Sequence, residues 1–258
     1  TQLDALSGNG CTVIERPNKQ YRTILQQDEL DTLVKTLMRS DLISFDLETT
    51  SVKPLEADII GLSFSVKAHE GYYIPVEYPE KESIPGISID TVLHALRPVF
   101  ENDNNYFCGQ NIKYDSLVLS RYDLKITHIC FDTMIAEYML HPDKNSYKLD
   151  YLSLDYLKYK MVPIEELIGN GLHQKSMAEV SLDDIAFYAS EDADIAFQLT
   201  VVLEDKLKEE KLIQPYDEIE NPLIPVLISI ENNGVYLDID FMKQLSLKFG
   251  NKLSKLTE

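Results

Sequence analysis

The sequence predicts an α/β fold built on a mixed five-stranded sheet, three antiparallel strands followed by two parallel ones, with helices on its faces. Two observations carry that expectation. Three strand-like segments follow one another through short connections between residues 42 and 76, the pattern of an antiparallel meander. Beyond residue 104 the texture changes to strand, helix, strand, helix, which implies parallel strands joined by helical crossovers.

Taken in order, residues 1–19 show no periodic pattern and are expected to be a linker or tail. "YRTILQ" reads as a short strand, and "DELDTLVKTLMRS" as a helix with Leu30, Leu33, Val34 and Leu37 on one face. The meander strands are residues 42–48, "DIIGLSFSV" and "GYYIPV". "SIDTVLHALRPVF" is a helix capped by Ser88. The alternating part runs through "NYFCGQN", "YDSLVLSRY", "THICFD" and "TMIAEYML". Residues 144–180 read as short helices and loops, including "GNGLHQKS", where His173 and Lys175 read first as ordinary loop residues. "SLDDIAFYASEDADIAFQLTVVLEDKLKEEK" is a long helix opening on a capping box, Ser181 with Asp184. Residues 216–258 form a separate piece: a Pro-punctuated helix, an Asn-Asn-Gly turn, a short strand and another helix.

Composition narrows the function classes. At 258 residues and 44% hydrophobic the chain can bury a full core. Three widely spaced cysteines, with no C-x-x-C pair, argue against a disulfide framework or a zinc site and fit a reducing cytosol. The longest apolar run, "LIPVLISI", is too short to span a bilayer, and no signal peptide opens the chain. It begins at Thr1 and stops at Glu258 inside a helical pattern, so it reads as a fragment of something longer. The net charge of −19 argues against tight binding to a nucleic-acid backbone. That charge is uneven: residues 181–220 hold 12 acids and 3 bases, whereas residues 104–160 balance 7 against 7 and contain 8 of the 15 tyrosines. Such a neutral, Tyr-rich region is either a weak stacking platform for single strands or a set of tyrosines packed on the core.

Three places hold carboxylates that solvation does not explain. In "LISFDLETTS", Ile43, Phe45 and Leu47 alternate with Ser44, Asp46 and Glu48, which puts two carboxylates on one face about 7 Å apart along the strand. Alone, that pattern equally describes a half-solvated acidic strand or a site for a hard cation. On the long helix, Tyr188, Asp192, Ile195 and Leu199 share one face, with Glu191, Asp194 and Gln198 on another that reads as solvent-like. Asp192 thus lies on an apolar stripe, where an unpaired charge is costly. In "GQNIKYDSLVL", Asp115 follows a strand at the turn into a helix, beside Gln110, Asn111 and Lys113. Sites gather there in sheets with helical crossovers, although helix capping is the simpler reading of this Asp alone.

Taken together, "FDLET", "NIKYD" and "YASED" resemble, in order and spacing, the three motifs of the 3′→5′ proofreading exonucleases: Asp-x-Glu, Asn-x-x-x-Asp and Tyr-x-x-x-Asp. With "GQNIKYD", "FDTM", "YASEDAD" and "NPLIPVLISIENNGV", residues 20–258 resemble the proofreading domain of the bacterial family A DNA polymerases, the DNA polymerase I type of DEDDy exonuclease. The resemblance implies a ribonuclease H-like fold, an exonuclease domain over residues 20–215, and the start of a polymerase domain, cut short, over 216–258. It implies two divalent metal ions, Mg²⁺ with Mn²⁺ or Zn²⁺ as alternatives. Asp46 would bridge them, Glu48 and Asp192 would hold one, and Asp115 would anchor the other. Tyr188 would orient the attacking water, and Thr49, Gln110, Asn111 and Tyr114 would hold the terminal nucleotide. Val52 falls at the family's aliphatic wedge, while Ile164 stands where relatives carry an aromatic one. The implied substrate is a single-stranded DNA 3′ end or frayed primer terminus, with the polymerase domain acting in cis. The expected setting is a monomer in the bacterial cytoplasm, associated with the nucleoid. An RNA-trimming enzyme similar to ribonuclease D and a catalytically silent scaffold are the alternatives.

Overall fold

The computed structural model describes residues 19–77, 86–169 and 174–257. The expected tail, apart from Lys19, lies outside the described residues, as does His173.

The strands are β1 (Gln20–Thr23), β2 (Leu42–Thr49), β3 (Ile59–Ser65), β4 (Glu70–Pro75), β5 (Tyr106–Gly109) and β6 (Ile129–Asp132). They form one mixed sheet in the order β1-β4-β3-β2-β5-β6. The meander is antiparallel through β2–β3 and β3–β4, and β2–β5 and β5–β6 are parallel. This is the expected ribonuclease H-like arrangement, extended by a sixth strand. The extra strand joins Gln20 to the first residues of "YRTILQ"; it lies parallel to β4 and pairs Gln20–Thr23 with Glu70–Tyr73. Its partner lies 50 residues downstream, beyond the reach of local pattern.

The main helices are α1 (Gln27–Leu37), α2 (Ile89–Phe100), α3 (Ile112–Ser120), α4 (Thr133–Leu140), α5 (Leu149–Leu152), α6 (Ile164–Ile168), α7 (Leu182–Glu209), α8 (Asn221–Asn233) and α9 (Ile239–Thr257). Ser88 caps α2 by accepting from Thr91 N–H, and Ser181 caps α7 by accepting from Asp184 N–H. The core on one face of the sheet joins Ile43, Phe45 and Leu47 of β2 to Leu30, Leu33 and Leu37 of α1 and Val92, Leu96 and Phe100 of α2. Phe45, Phe64, Phe100 and Phe107 form a ring cluster there, with neighbouring centroids 5.1–6.1 Å apart.

Helix α7 covers the other face. Its small residues Ala189, Ser190, Ala193 and Ala196 are buried and let its backbone come close to the strands. The approach is tightest over β4, where a Cβ on Gly71 would lie 2.8 Å from the Ser190 carbonyl oxygen. With both faces covered, β2 is a central strand and not the half-solvated one that its alternation also allows.

The short strand expected after the Asn-Asn-Gly turn does not form: residues 234–238 are irregular. Val235 and Tyr236 are about nine-tenths exposed there, and among the described residues no neighbouring strand offers a ladder to pair with. Among the described residues no helix is long and apolar enough to cross a membrane.

Candidate active site

Four elements deliver the site. β2 carries Asp46 and Glu48, with Leu47 turned into the opposite core. Pairing with β3 shifts register just after Glu48, between Glu48 and Thr49, so the strand's regular ladder ends where its carboxylates stand. From the other side α7 brings Tyr188 and Asp192, one turn apart on one stripe. Ligand oxygens of Asp46, Glu48 and Asp192 lie within 4.8 Å of one another; Glu48 is buried and the other two are half-buried.

Asp115 enters from the first turn of α3. It is buried and accepts the Leu47 backbone N–H at 3.2 Å, which ties it to β2 between Asp46 and Glu48. It does not cap its own helix. The N-cap is Asn111, in the left-handed region at φ 55°, a conformation that Asn tolerates.

The turn before α3 is held by Asp132, whose carboxylate accepts from Asn111 N–H at 3.2 Å and Ile112 N–H at 2.9 Å. It also accepts from Met134 N–H at 2.9 Å and Ile135 N–H at 3.2 Å, so one side chain caps both α3 and α4. Burial lifts this carboxyl to about 6 against the pull of those four bonds. Asp132 stands in "FDTM", and its place, an Asp ending a strand before a helix, is the same local signal that marks Asp115.

Electrostatically the cluster is strained. Burial raises the Asp46 carboxyl to about 7. Burial, then Asp46, Asp192 and Asp115, holds Glu48 well above the carboxylate range. Asp115 and Asp192 are raised in the same way, first by burial and then by Asp46. The Tyr188 hydroxyl is bonded to Asp192 and pulls that carboxyl down, while burial and the surrounding acids push the phenol far above its ordinary value. Hard carboxylate oxygens this close and this buried are a donor set that a divalent cation would satisfy.

The carboxylates open on a cleft of about 570 Å³, also lined by Gln110, Asn111, Tyr114, Ser146, Lys148 and Ile164. Gln110 donates to the Tyr147 carbonyl at 2.7 Å and so holds the 145–148 wall. The Thr49 and Tyr114 hydroxyls share a bond of 2.6 Å, and Tyr114 also donates to the Ser51 carbonyl, which fixes the loop after β2. Val52 stands on that loop, 92% exposed, and does not line the cleft.

The solvent-like face assigned to α7 is corrected by the structure. Glu191 and Asp194 are wholly buried. Glu191 accepts from Lys19 Nζ at 2.7 Å, from the Tyr159 hydroxyl at 2.6 Å and from Val162 N–H at 2.8 Å, and so pins a stretch of the cleft wall. Asp194 accepts from the Tyr21 hydroxyl and His69 N–H, both at 2.7 Å, and from Gln198 at 2.8 Å. Helical periodicity counts charges as solvent-facing, and all of these partners but Gln198 come from other parts of the chain.

Comparison with known proteins agrees with this geometry. A profile of the 3′-5′ exonuclease family matches residues 21–208. DNA polymerase I of Borreliella burgdorferi is 38% identical over 231 residues, covering 89% of this chain and 24% of that protein. DNA polymerase I of Pseudomonas aeruginosa is 33% identical over 239 residues, covering 92% of this chain and 26% of that protein. The chain thus spans about a quarter of the length of the curated relatives it matches. Among solved structures, the POL domain of Mycobacterium smegmatis Pol1 with DNA primer-template and dNTP superposes with a TM-score of 0.72 at 16% identity, covering 91% of this chain and 36% of that one. Brucella melitensis NrnC with bound Mg²⁺ gives 0.61 at 16% identity, covering 86% and 96%; at such identities these two likenesses speak for the fold alone. With most of its length matched by the profile, the chain belongs to the 3′-5′ exonuclease family of the family A DNA polymerases.

Proposed function

We propose that this cleft hydrolyses the terminal phosphodiester at the 3′ end of single-stranded or frayed DNA, releasing 5′-mononucleotides as the proofreading part of a longer polymerase. The observation that carries the reading is the convergence of Asp46, Glu48 and Asp192 within 4.8 Å at the base of an open cleft. Asp115 is fastened to the same strand by Leu47 N–H. In this reading the exonuclease domain runs over residues 20–215 and residues 216–258 begin the polymerase domain. The family match ending at residue 208 supports that division.

Two divalent cations, Mg²⁺ by preference, would be held by Asp46, Glu48, Asp192 and Asp115. When bound they lower the pKa of an attacking water and offset negative charge developing at phosphorus. The protein's own groups do the rest. Tyr188 stays protonated at any working pH, so its hydroxyl orients a water as a hydrogen-bonding group and does not act as a base. Asn111 presents its amide to the terminal nucleotide, Gln110 holds the wall beside it, and Tyr114 with Thr49 fixes the loop that bears Val52 at the edge of the cleft. Few cations line the cleft, so DNA affinity rests on a few phosphate contacts and falls steeply with salt. The polymerase part in cis would supply the remainder, in a cytoplasmic, nucleoid-associated monomer.

The test is degradation of a 5′-labelled single-stranded DNA with Mg²⁺ by this chain and by Asp46→Ala, beside an RNA of the same sequence. A ladder shortening from the 3′ end on DNA, absent in the variant and in chelator, supports the proposal. Preference for the RNA transfers the chemistry to an RNA-trimming role. No ladder from folded wild type supplied with metal makes the domain a scaffold.

A further inference from the structure

Behind the carboxylates one phenol has no hydrogen-bond partner. Tyr73 on β4 is fully buried, yet its hydroxyl is unpaired, an arrangement that folded proteins avoid. The sheet fixes where this hydroxyl lies. Gly61 on β3 is directly opposite Glu48 on β2, and a Cβ built on Gly61 would stand 2.2 Å from the Tyr73 oxygen. Directly opposed residues of an antiparallel pair project to the same face, with Cβ atoms roughly 4.5–5.5 Å apart. The Tyr73 hydroxyl therefore fills the place of the missing Gly61 side chain, within one side chain's reach of the Glu48 carboxylate. Glu48 is itself almost wholly buried, so its carboxylate is confined to the space between this phenol and the cleft. A tyrosine hydroxyl carries one proton to donate, and a carboxylate is an acceptor within its reach here. Gly61 admits the ring, since any larger residue would collide with it.

We propose that Tyr73 is a positioning residue for Glu48, donating its hydroxyl to the Glu48 carboxylate when a divalent cation holds that carboxylate ionised. The inference rests on the divalent-cation reading of the site. A hydroxyl bonded to an ionised carboxylate forms a stronger bond than one bonded to a neutral acid, and a second partner on a ligating carboxylate fixes which oxygen faces the ion. Tyr73 touches neither substrate nor cation; it acts through Glu48.

Tyr73→Phe keeps the ring and removes only the oxygen. Mn²⁺ binding to the 258-residue chain is followed by titration calorimetry, and melting is recorded in chelator and in saturating Mn²⁺. The expected result is a variant that melts in chelator at or above the wild-type temperature, because it buries no unpaired oxygen. Its Mn²⁺ affinity is about ten- to hundredfold weaker, and its gain in melting temperature on adding Mn²⁺ is smaller. Equal Mn²⁺ affinity in the two proteins overturns the inference and leaves the metal site standing. A variant that melts lower in chelator but binds Mn²⁺ normally also overturns it, making the hydroxyl structural. If wild type itself binds no Mn²⁺, the metal reading falls and the inference falls with it.

Discussion

Asp46→Asn should stabilise the protein in chelator and abolish the benefit of metal. Asn has nearly the shape of Asp and cannot ionise. In the fold the Asp46 carboxyl sits at about 7 against an ordinary 3.8, so folding favours its neutral form. Its contribution to stability is complete below about pH 4 and is lost as pH rises through about 7. Above that, holding the charge costs about 4 kcal/mol. Asp46 is half-buried, and if solvent screens about half of this, about 2 kcal/mol survives, or about 5 °C in Tm for a chain of this size. Thermal melts of both proteins from pH 5 to 8.5, in chelator and in Mg²⁺, check the prediction. The variant should melt about 5 °C higher at pH 8 in chelator, by clearly less at pH 5, where only part of the cost has accrued, and equally only below about pH 4. It should melt lower in saturating Mg²⁺, where wild type gains about 3 kcal/mol at a hundred times its Kd. An Asn variant less stable than wild type in chelator at pH 8, or a difference that ignores pH, would refute the reasoning.

Three further outcomes are expected. Tyr188→Phe should lower kcat by about a hundredfold, more at pH 6 than at pH 8, because the hydroxyl's bond holds the Asp192 carboxyl down; a pH–rate series checks it. Glu191→Ala leaves Lys19 buried without the carboxylate it pairs with at 2.7 Å and should cost about 3–5 kcal/mol in urea unfolding. Lys19→Met with Glu191→Gln should recover much of that. Asp132→Ala removes the acceptor of four backbone N–H groups at two helix starts. It should cost about 2–4 kcal/mol at the usual worth of a cap, with faster hydrogen exchange at Asn111 and Ile112.

What the sequence shows and what it hides follow from the range of the forces involved. The meander and the strand–helix alternation are legible because period and turn spacing are local. So is the Tyr188–Asp192 stripe, since residues four apart on a helix must share a face. β1 was legible as a strand but not as a member of the sheet, because its ladder lies with β4. The strand expected near Val235 had the composition but no partner, and β structure does not persist without one. Glu191 and Asp194 were misread for a related reason. A periodicity argument gives every charge to water, whereas Lys19 and Tyr21, more than 170 positions away, satisfy these two inside the protein.

That contrast separates the two kinds of buried acid on α7. Glu191 and Asp194 each have donors from the protein, and Glu191 has a cation as well. Asp192 lies between them in sequence and has a tyrosine hydroxyl on one side and other carboxylates on the other. An acid that the fold satisfies serves the fold. Asp46, Glu48, Asp115 and Asp192 instead are held high by burial and, for the last three, by Asp46 after it, a cost that their few protein donors do not offset. A cluster destabilising to the empty protein is explained if its stabilising partner arrives from solution. The charge that makes the chain acidic overall is thus a poor guide to its substrate: at this cleft, affinity for a phosphodiester would depend on the cations the carboxylates collect.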